Sequence, residues 1–422
     1  MKLTLMLAAG QLATAATLCV NPGASNGCLG SIGAAVSAAA AGDTIQVGHG
    51  TYKEMVTIQK SLALVGESPQ NTVIDATGLS NGIFVDGTAA APNTAFSNVS
   101  VSGFAIQNAN FEGVLVANAA SVTISGNVVT GNDHALVPSG PSGATCPGIY
   151  AFETASSFDC GGGIHLSGAQ NSTVSSNVIV NNAGGILLSD DTGQTADNLI
   201  TLNIVVSNPY DCGVALASHP PASITGAMVP LAVIRNTVAA NIADHNGTLA
   251  SGAGVGMFGF VAGAAVSGNV ISSNILTNNR LPGVAIHGHA TGTSAGENFD
   301  NNTIVGNFIA GNMADTSDSV TPDTAGINIF SAYPINGLTI IQNTIRQEAI
   351  AVVVNAPGAV NIHLNNFDND QGIGILNLTS GGVNANLNWW NCSRGPGGSG
   401  CTTISGPNVT TAPWMTVPAG GI

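Results

Sequence analysis

One short pattern recurs from about residue 99 to residue 390: an apolar pair, then Gly-Asn or Asn-Asn, then two β-branched residues, then another Asn. It reads Val122-Thr-Ile-Ser-Gly-Asn127-Val-Val, Val174-Ser-Ser-Asn177-Val-Ile-Val-Asn181, Val266-Ser-Gly-Asn269-Val-Ile and Phe299-Asp-Asn-Asn302-Thr-Ile-Val-Gly-Asn307. The simplest intervals, Asn343 to Asn366 to Asn388, are 22 or 23 residues, the scale of one coil of a parallel β-helix. Longer intervals mark loops inserted into one turn. In such a coil alternate apolar side chains point into the cylinder. Asn at the bend tolerates left-handed backbone and hydrogen-bonds along a ladder of equivalent Asn residues. A coil of this size cannot bury its faces alone, so it is stable only when stacked on its neighbours.

A second ladder lies between the Asn turns and begins with Gly followed by Ile or Val. Its members are Gly163-Ile-His-Leu-Ser, Gly185-Ile-Leu-Leu-Ser-Asp-Asp, Gly213-Val-Ala-Leu-Ala-Ser-His, Gly254-Val-Gly-Met-Phe, Gly283-Val-Ala-Ile-His-Gly-His and Gly326-Ile-Asn-Ile-Phe. Strict alternation sends the Ile or Val and the second residue after it inward, and the residues between them outward. A sandwich of hairpins would instead show turn dipeptides between antiparallel partners and no single register. The fold class predicted is all-β, a single-stranded parallel β-helix with a short N-terminal helical cap.

Composition agrees with that architecture. Only 7% of the 422 residues are charged, 55 are Gly, and the net charge of -15 arises from 22 acids against 7 bases. That balance repels a phosphate backbone or an anionic membrane surface, so no nucleic-acid partner is expected. Neutral glycans, or uronates bridged by calcium, remain compatible with it. Residues 1–16 read as a secretory signal: Lys2, an apolar run from Leu3 to Ala9, then Ala13-Thr14-Ala15-Ala16. No other stretch has the apolar length of a membrane span, so no membrane insertion is expected. The seven Cys suit export; Cys19 with Cys28, Cys146 with Cys160 and Cys392 with Cys401 are near enough in sequence to close small loops, with Cys212 the odd thiol. Residues 17–422 then form the β-helix domain, with an inserted loop at 137–160 expected to overhang the outer face beside His165, and a C-terminal capping segment at 388–422.

The run Gly42-Asp-Thr-Ile-Gln-Val-Gly-His-Gly-Thr-Tyr-Lys-Glu-Met-Val-Thr-Ile-Gln-Lys-Ser-Leu-Ala-Leu-Val-Gly-Glu67 resembles the opening coils of pectin-lyase-like parallel β-helix proteins. It is most similar to the carbohydrate-binding and sugar-hydrolase type shared with the NosD copper-reductase maturation protein. Asn388-Trp-Trp, Gly395-Pro396 and Pro413-Trp414 resemble the closing turn of that group. The resemblance implies a right-handed parallel β-helix over nearly the whole mature chain. It is weak for activity, because the group spans lyases, hydrolases, epimerases and proteins without known catalysis.

The candidate catalytic residues are His165, Asp190, Asp191, His219, His287 and His289, all on the Gly-Ile/Val ladder or just past it, where coils about 4.8 Å apart could line one outer groove. Asp190 and Asp191 suit a hydrolase pair, calcium ligation, or simply a turn; strand neighbours face opposite ways, so they act together only if Asp190 begins the turn. His287-Gly-His289 could chelate zinc or copper with His219 or His165 as third ligand, or hold no metal at all. A cofactor is thus expected to be absent, Ca2+ or a transition metal. His219 and His289 occupy the same ladder position two coils apart, about 10 Å between Cα atoms, a gap suited to gripping a sugar ring. Departures from known enzymes of the group are plain. Lyases of this kind use a Lys or Arg base, and only Arg235 and Arg280 lie near the groove; the Asp-Asp and Gly-His-Gly of polygalacturonases lie about one coil apart, whereas here about four coils intervene. These readings predict a secreted or periplasmic monomer that binds or acts on a polysaccharide or oligosaccharide, as a hydrolase or lyase if catalytic. The alternatives are a non-catalytic glycan-binding or surface-structural protein, or a metal-binding maturation factor of NosD type.

Overall fold

A computed structural model describes residues 15–138, 145–153, 161–290, 295–316, 319, 321–368 and 372–420. Most of the segment read as a secretory signal therefore lies outside the described residues, as does Cys160 with its suggested pairing. Among the described residues the strands form parallel sheets of 14, 12, 11 and 3 members, and successive members of each sheet come from successive coils. One core cluster runs from Val20 to Trp390 inside the coils. A hairpin sandwich is excluded, because the named strands pair in parallel throughout, as in Val178–Val180 with Ile204–Val206.

The Gly-Ile/Val ladder is the 12-stranded sheet. Ile164, Ile186, Val214, Val255, Val284 and Ile327 stand in one register and point into the core. The glycine ahead of each is dictated by close approach: a Cβ on Gly185 would collide with the Gly213 carbonyl and with Val205.

Three ladders, rather than one, run along the bends. One is Asn127, Asn177, Asn203, Asn241, Asn274, Asn307, Asn343, Asn365 and Asn388; a second runs from Asn132 to Asn312; a third from Asn198 to Asn302. Asn203 shows the unit: its backbone N–H and its Nδ2 both donate to Asn241 Oδ1 at 3.0 Å, and Nδ2 also donates to the Val174 carbonyl at 2.9 Å. The ladder Asn residues do not themselves take the left-handed conformation expected of them. The preceding residue does, at Ser176, Leu202, Ala240, Ser273, Gln342, Leu364 and Leu387. The amide is committed to the ladder, so the turn is displaced one residue upstream. This also leaves Leu202 and Leu387 facing solvent.

The ends are closed differently. Helix Ile32–Ala38 packs on Thr17–Val20, Thr44–Val47 and Val56–Ile58, burying Ile32, Ala35 and Val36. Ser31 Oγ caps it, and the Glu54 carboxylate accepts the Ile32 and Gly33 N–H groups at 2.8 Å. At the other end Trp390 is fully buried, edge-on to Phe367, and the capping segment also supplies strands Thr403–Ser405 and Val409–Thr410. Disulfides join Cys19 to Cys28 and Cys392 to Cys401.

Ile186 is 1% exposed between Ile164 and Val214, so Ile186→Ala should cost about 2–5 kcal/mol in urea unfolding. A cost below about 0.5 kcal/mol would place it on the surface. The second Asn ladder ends on a carboxylate: Glu348 Oε1 accepts Asn312 N–H and Nδ2 at 2.9 and 3.1 Å, and burial pushes the acid up to about 7. The unfolded chain releases this proton first, so its contribution is complete below pH ~4 and is lost as pH rises to about 7. Glu348→Gln keeps the acceptor and removes the titration. Between pH 5 and 8 the parent protein should lose on the order of 1–3 kcal/mol more than the variant, and parallel losses would contradict this assignment.

Candidate functional site

The six predicted residues do not form one open groove. Five of them fall into three columns on the outer face of the 12-stranded sheet, set by their distance from the ladder glycine, and Asp190, five residues after Gly185, stands in none of these. His165 pairs with Leu187, which pairs with Ala215. His287 is two residues further along, paired with Phe258 and Phe330. Asp191, His219 and His289 stand further still, past the strand ends. Covering segments enclose most of this face, and His165, Asp190, Asp191, His219 and His287 are each 5% exposed or less.

The strand Gly184–Ser189 ends before Asp190, so both aspartates lie past the strand end, and each contacts His219. Their roles diverge. Asp190 Oδ1 accepts the His219 N–H at 2.7 Å, and Oδ2 accepts Ser218 Oγ, Leu231 N–H and Ala232 N–H. Burial pushes this carboxyl above the usual carboxylate range, against the pull of those bonds. Asp191 Oδ1 lies 3.1 Å from His219 Nδ1, and Oδ2 accepts Ser189 Oγ at 2.6 Å. Burial pushes this carboxyl up, but the His219 charge and hydrogen bond outweigh it, with a net lowering. With their oxygens turned to these donors, the pair is not arranged as a calcium site, which needs six to eight oxygen ligands about one ion.

His165 continues the same chain, its Nε2 lying 2.8 Å from Ser189 Oγ. Since Ser189 donates to Asp191, it accepts from His165 Nε2–H, which leaves Nδ1 as the ring atom facing the inserted loop. That atom lies 3.3 Å from Glu153 Oε1, in the described part of the inserted loop. Glu112, fully buried just ahead of strand Val114–Ala117, completes a group whose ligand atoms all lie within 4.8 Å of one another. Burial, with the neighbouring Glu153 charge, pushes Glu112 up to about 8; burial and the Asp191 charge hold Glu153 well above the usual range.

His219 and His289 do stand in line two coils apart, but the coil between them fills the gap. Phe260 lies 4.8 Å from the His219 ring and 4.7 Å from the His289 ring, nearly parallel to the latter. No sugar ring can be gripped there. His287 and His289 stack at 4.1 Å with planes 10° apart. Parallel imidazoles have parallel lone pairs, which do not converge on one ion, so this geometry opposes the chelate reading of His287-Gly-His289. Half-buried Phe258, Phe260 and Phe330 join the two histidines in one ring cluster. A second cluster lies toward the N-terminus, where Tyr150 and Phe152 of the inserted loop stack with Phe84 at 5.1–6.1 Å.

Solved structures share this architecture. The Dettilon tailspike protein superposes with a TM-score of 0.59 at 14% identity, over 88% of this chain and 62% of that one. DFA-IIIase from Arthrobacter chlorophenolicus, crystallised without its lid, superposes at 0.51 and 13% identity, over 88% of this chain and 89% of that one. The chain has a pectin-lyase-like right-handed parallel β-helix fold. Residues 37–226 of this β-helix protein also match the family described as periplasmic copper-binding protein (NosD), and the chain spans less than two thirds of the tailspike's length. No curated protein matches it. The Glu112, Glu153 and His165 group offers two carboxylates and one imidazole, which suit a divalent ion, and none of the sulfur ligands that copper(I) favours.

Glu112, Glu153, Ser189, Phe260 and the loop aromatics were not among the predicted residues. Phe260 was legible: it stands six residues after Gly254, as Asp191, His219 and His289 do after Gly185, Gly213 and Gly283. Glu112 carries a fainter signal, a lone acid immediately before Gly113-Val-Leu-Val in a chain with few charges.

Proposed function

We propose that this is a carbohydrate-binding β-helix protein, acting outside the cytoplasm, whose ligand is an oligosaccharide or polysaccharide lying along the outer face of the 12-stranded sheet. The observation that carries this reading is the pair of ring clusters over this face, Phe84 with Tyr150 and Phe152 of the inserted loop, and Phe258, Phe260, His287, His289 and Phe330. The C–H faces of sugar rings pack well on such apolar, polarizable surfaces, while imidazoles and loop carbonyls serve their hydroxyls. Five coil steps separate strand Ile83–Asp86 from strand Val255–Gly259, about 24 Å, so the face suits a chain rather than a single sugar. The acidic balance favours a neutral glycan or one bridged by a cation.

Two disulfides support an extracytoplasmic location, and no helix among the described residues is long and apolar enough to cross a membrane. In this reading His289 and the ring edges meet the ligand. Asp190, Asp191, His165, His219 and His287 are framework that holds the face in shape. Catalysis as a hydrolase or lyase is the second reading, and the enclosed Asp191 and His219 pair favours it. It requires the covering segments to open to substrate.

Binding should be measured across a polysaccharide panel, with and without calcium, alongside reducing-end and unsaturated-uronide release. Tyr150→Ala with Phe152→Ala, and separately His289→Ala, should each weaken retention of the preferred glycan about tenfold, or about 1.4 kcal/mol, with little change in unfolding midpoint. Full binding by both variants, or no retention of the parent protein by any glycan, would contradict the proposal. Sugar release abolished by Asp191→Asn would move the assignment to the enzyme.

A further inference from the structure

The geometry points to a binding site for one divalent cation of the zinc or manganese class at Glu112, Glu153 and His165, beneath the inserted loop that also carries Tyr150 and Phe152. Three elements converge there: the residue ahead of strand Val114–Ala117, the inserted loop, and strand Gly162–Ser167. Glu112 is fully buried and Glu153 is 8% exposed, yet none of their four carboxylate oxygens makes a well-aligned hydrogen bond among the described residues, the Gly161 and Tyr150 backbone amides giving them only partial support. Buried carboxylates short of donors are costly, and a cation is the partner that satisfies both at once.

The imidazole supports this independently. Ser189 donates to Asp191 and so accepts from His165 Nε2–H, which places His165 Nδ1 toward Glu153, 3.3 Å from Oε1. A ligating histidine whose other ring nitrogen donates into a hydrogen-bonded carboxylate chain is the usual outer-shell arrangement of metal sites. Two carboxylates and one neutral imidazole neutralise a 2+ ion and suit zinc or manganese, with water completing the coordination sphere. Because Glu153 belongs to the inserted loop, the cation would tie that loop to the coil beneath it.

The full-length protein should be stripped with a chelator and titrated with Zn2+ and Mn2+ by calorimetry, with bound metal counted by elemental analysis. One equivalent of at least one ion is expected, with a rise in unfolding temperature. Glu112→Gln and His165→Ala should each weaken binding tenfold or more, while Glu67→Gln at the surface leaves it unchanged. Glu153→Gln serves as a second carboxylate variant if either of the others misfolds, checked by far-ultraviolet circular dichroism. Less than a tenth of an equivalent bound, or unchanged affinity in folded Glu112→Gln and Glu153→Gln, would overturn the site. Metal stoichiometry and affinity are read without any glycan present, so failure of this inference and failure of the proposed function are separate outcomes.

Discussion

Buried asparagine amides stacked coil upon coil are the interaction on which the rest of this molecule depends. A parallel β-helix turns its backbone sharply several times per coil, and each turn takes peptide groups out of a sheet and into the interior, where unpaired polar groups are costly. Each ladder Asn meets that demand with one side chain. Its Oδ1 accepts from the coil before it, its Nδ2 donates back to a carbonyl, and its own N–H donates onward, as at Asn203 and Asn241. Bonds of this kind contribute about 0.5–1.5 kcal/mol each, but leaving one unmade costs more, so the ladder specifies register as well as adding stability. The ladder tolerates insertions because it links residues by position in the coil. Successive members lie 50 residues apart at Asn127 and Asn177 and 22 apart at Asn343 and Asn365.

That tolerance creates the functional surface. Segments longer than a bare coil leave the cylinder near the 12-stranded sheet and fold over its outer face, enclosing polar side chains that would otherwise face water. A connected path results, from Glu112 and Glu153 through His165, Ser189 and Asp191 to His219, and on by ring contact to Phe260, His289 and His287. The rigid coil spacing keeps those groups in line. The covering loops decide which are sealed in and which, like His289 and the phenylalanines beside it, remain half-exposed.

Much of the fold was legible because it is periodic. The Asn spacing, the Gly-Ile/Val register, the helix over the first coil and the two disulfides at the ends each follow from local pattern. The site was legible only where it shares the period. The pairing of Asp191 with His219 follows from adjacent coils, and Phe260 could have been placed by the same count from its ladder glycine. The six residues do not line one groove, because offsets of two, four and six residues from the glycine are separate columns and Asp190, at five, stands in none of them. The path of the inserted loop has no period, so the approach of Glu153 to His165 and of Tyr150 to Phe84 could not be read from the chain. The left-handed residue beside each ladder Asn was also misplaced, since propensity favours Asn there and the ladder overrides it.

Native-state hydrogen exchange tests the ladder most directly. Backbone amides of Asn177, Asn203, Asn241, Asn274 and Asn307 lie outside the strands and donate to side chains, so without the ladder they would exchange as turn amides do. The account predicts that they exchange as slowly as the core strand amides of Ile186 and Val214, by opening of whole coils. Exchange at the rate of exposed turns, with the strand amides still protected, would contradict it.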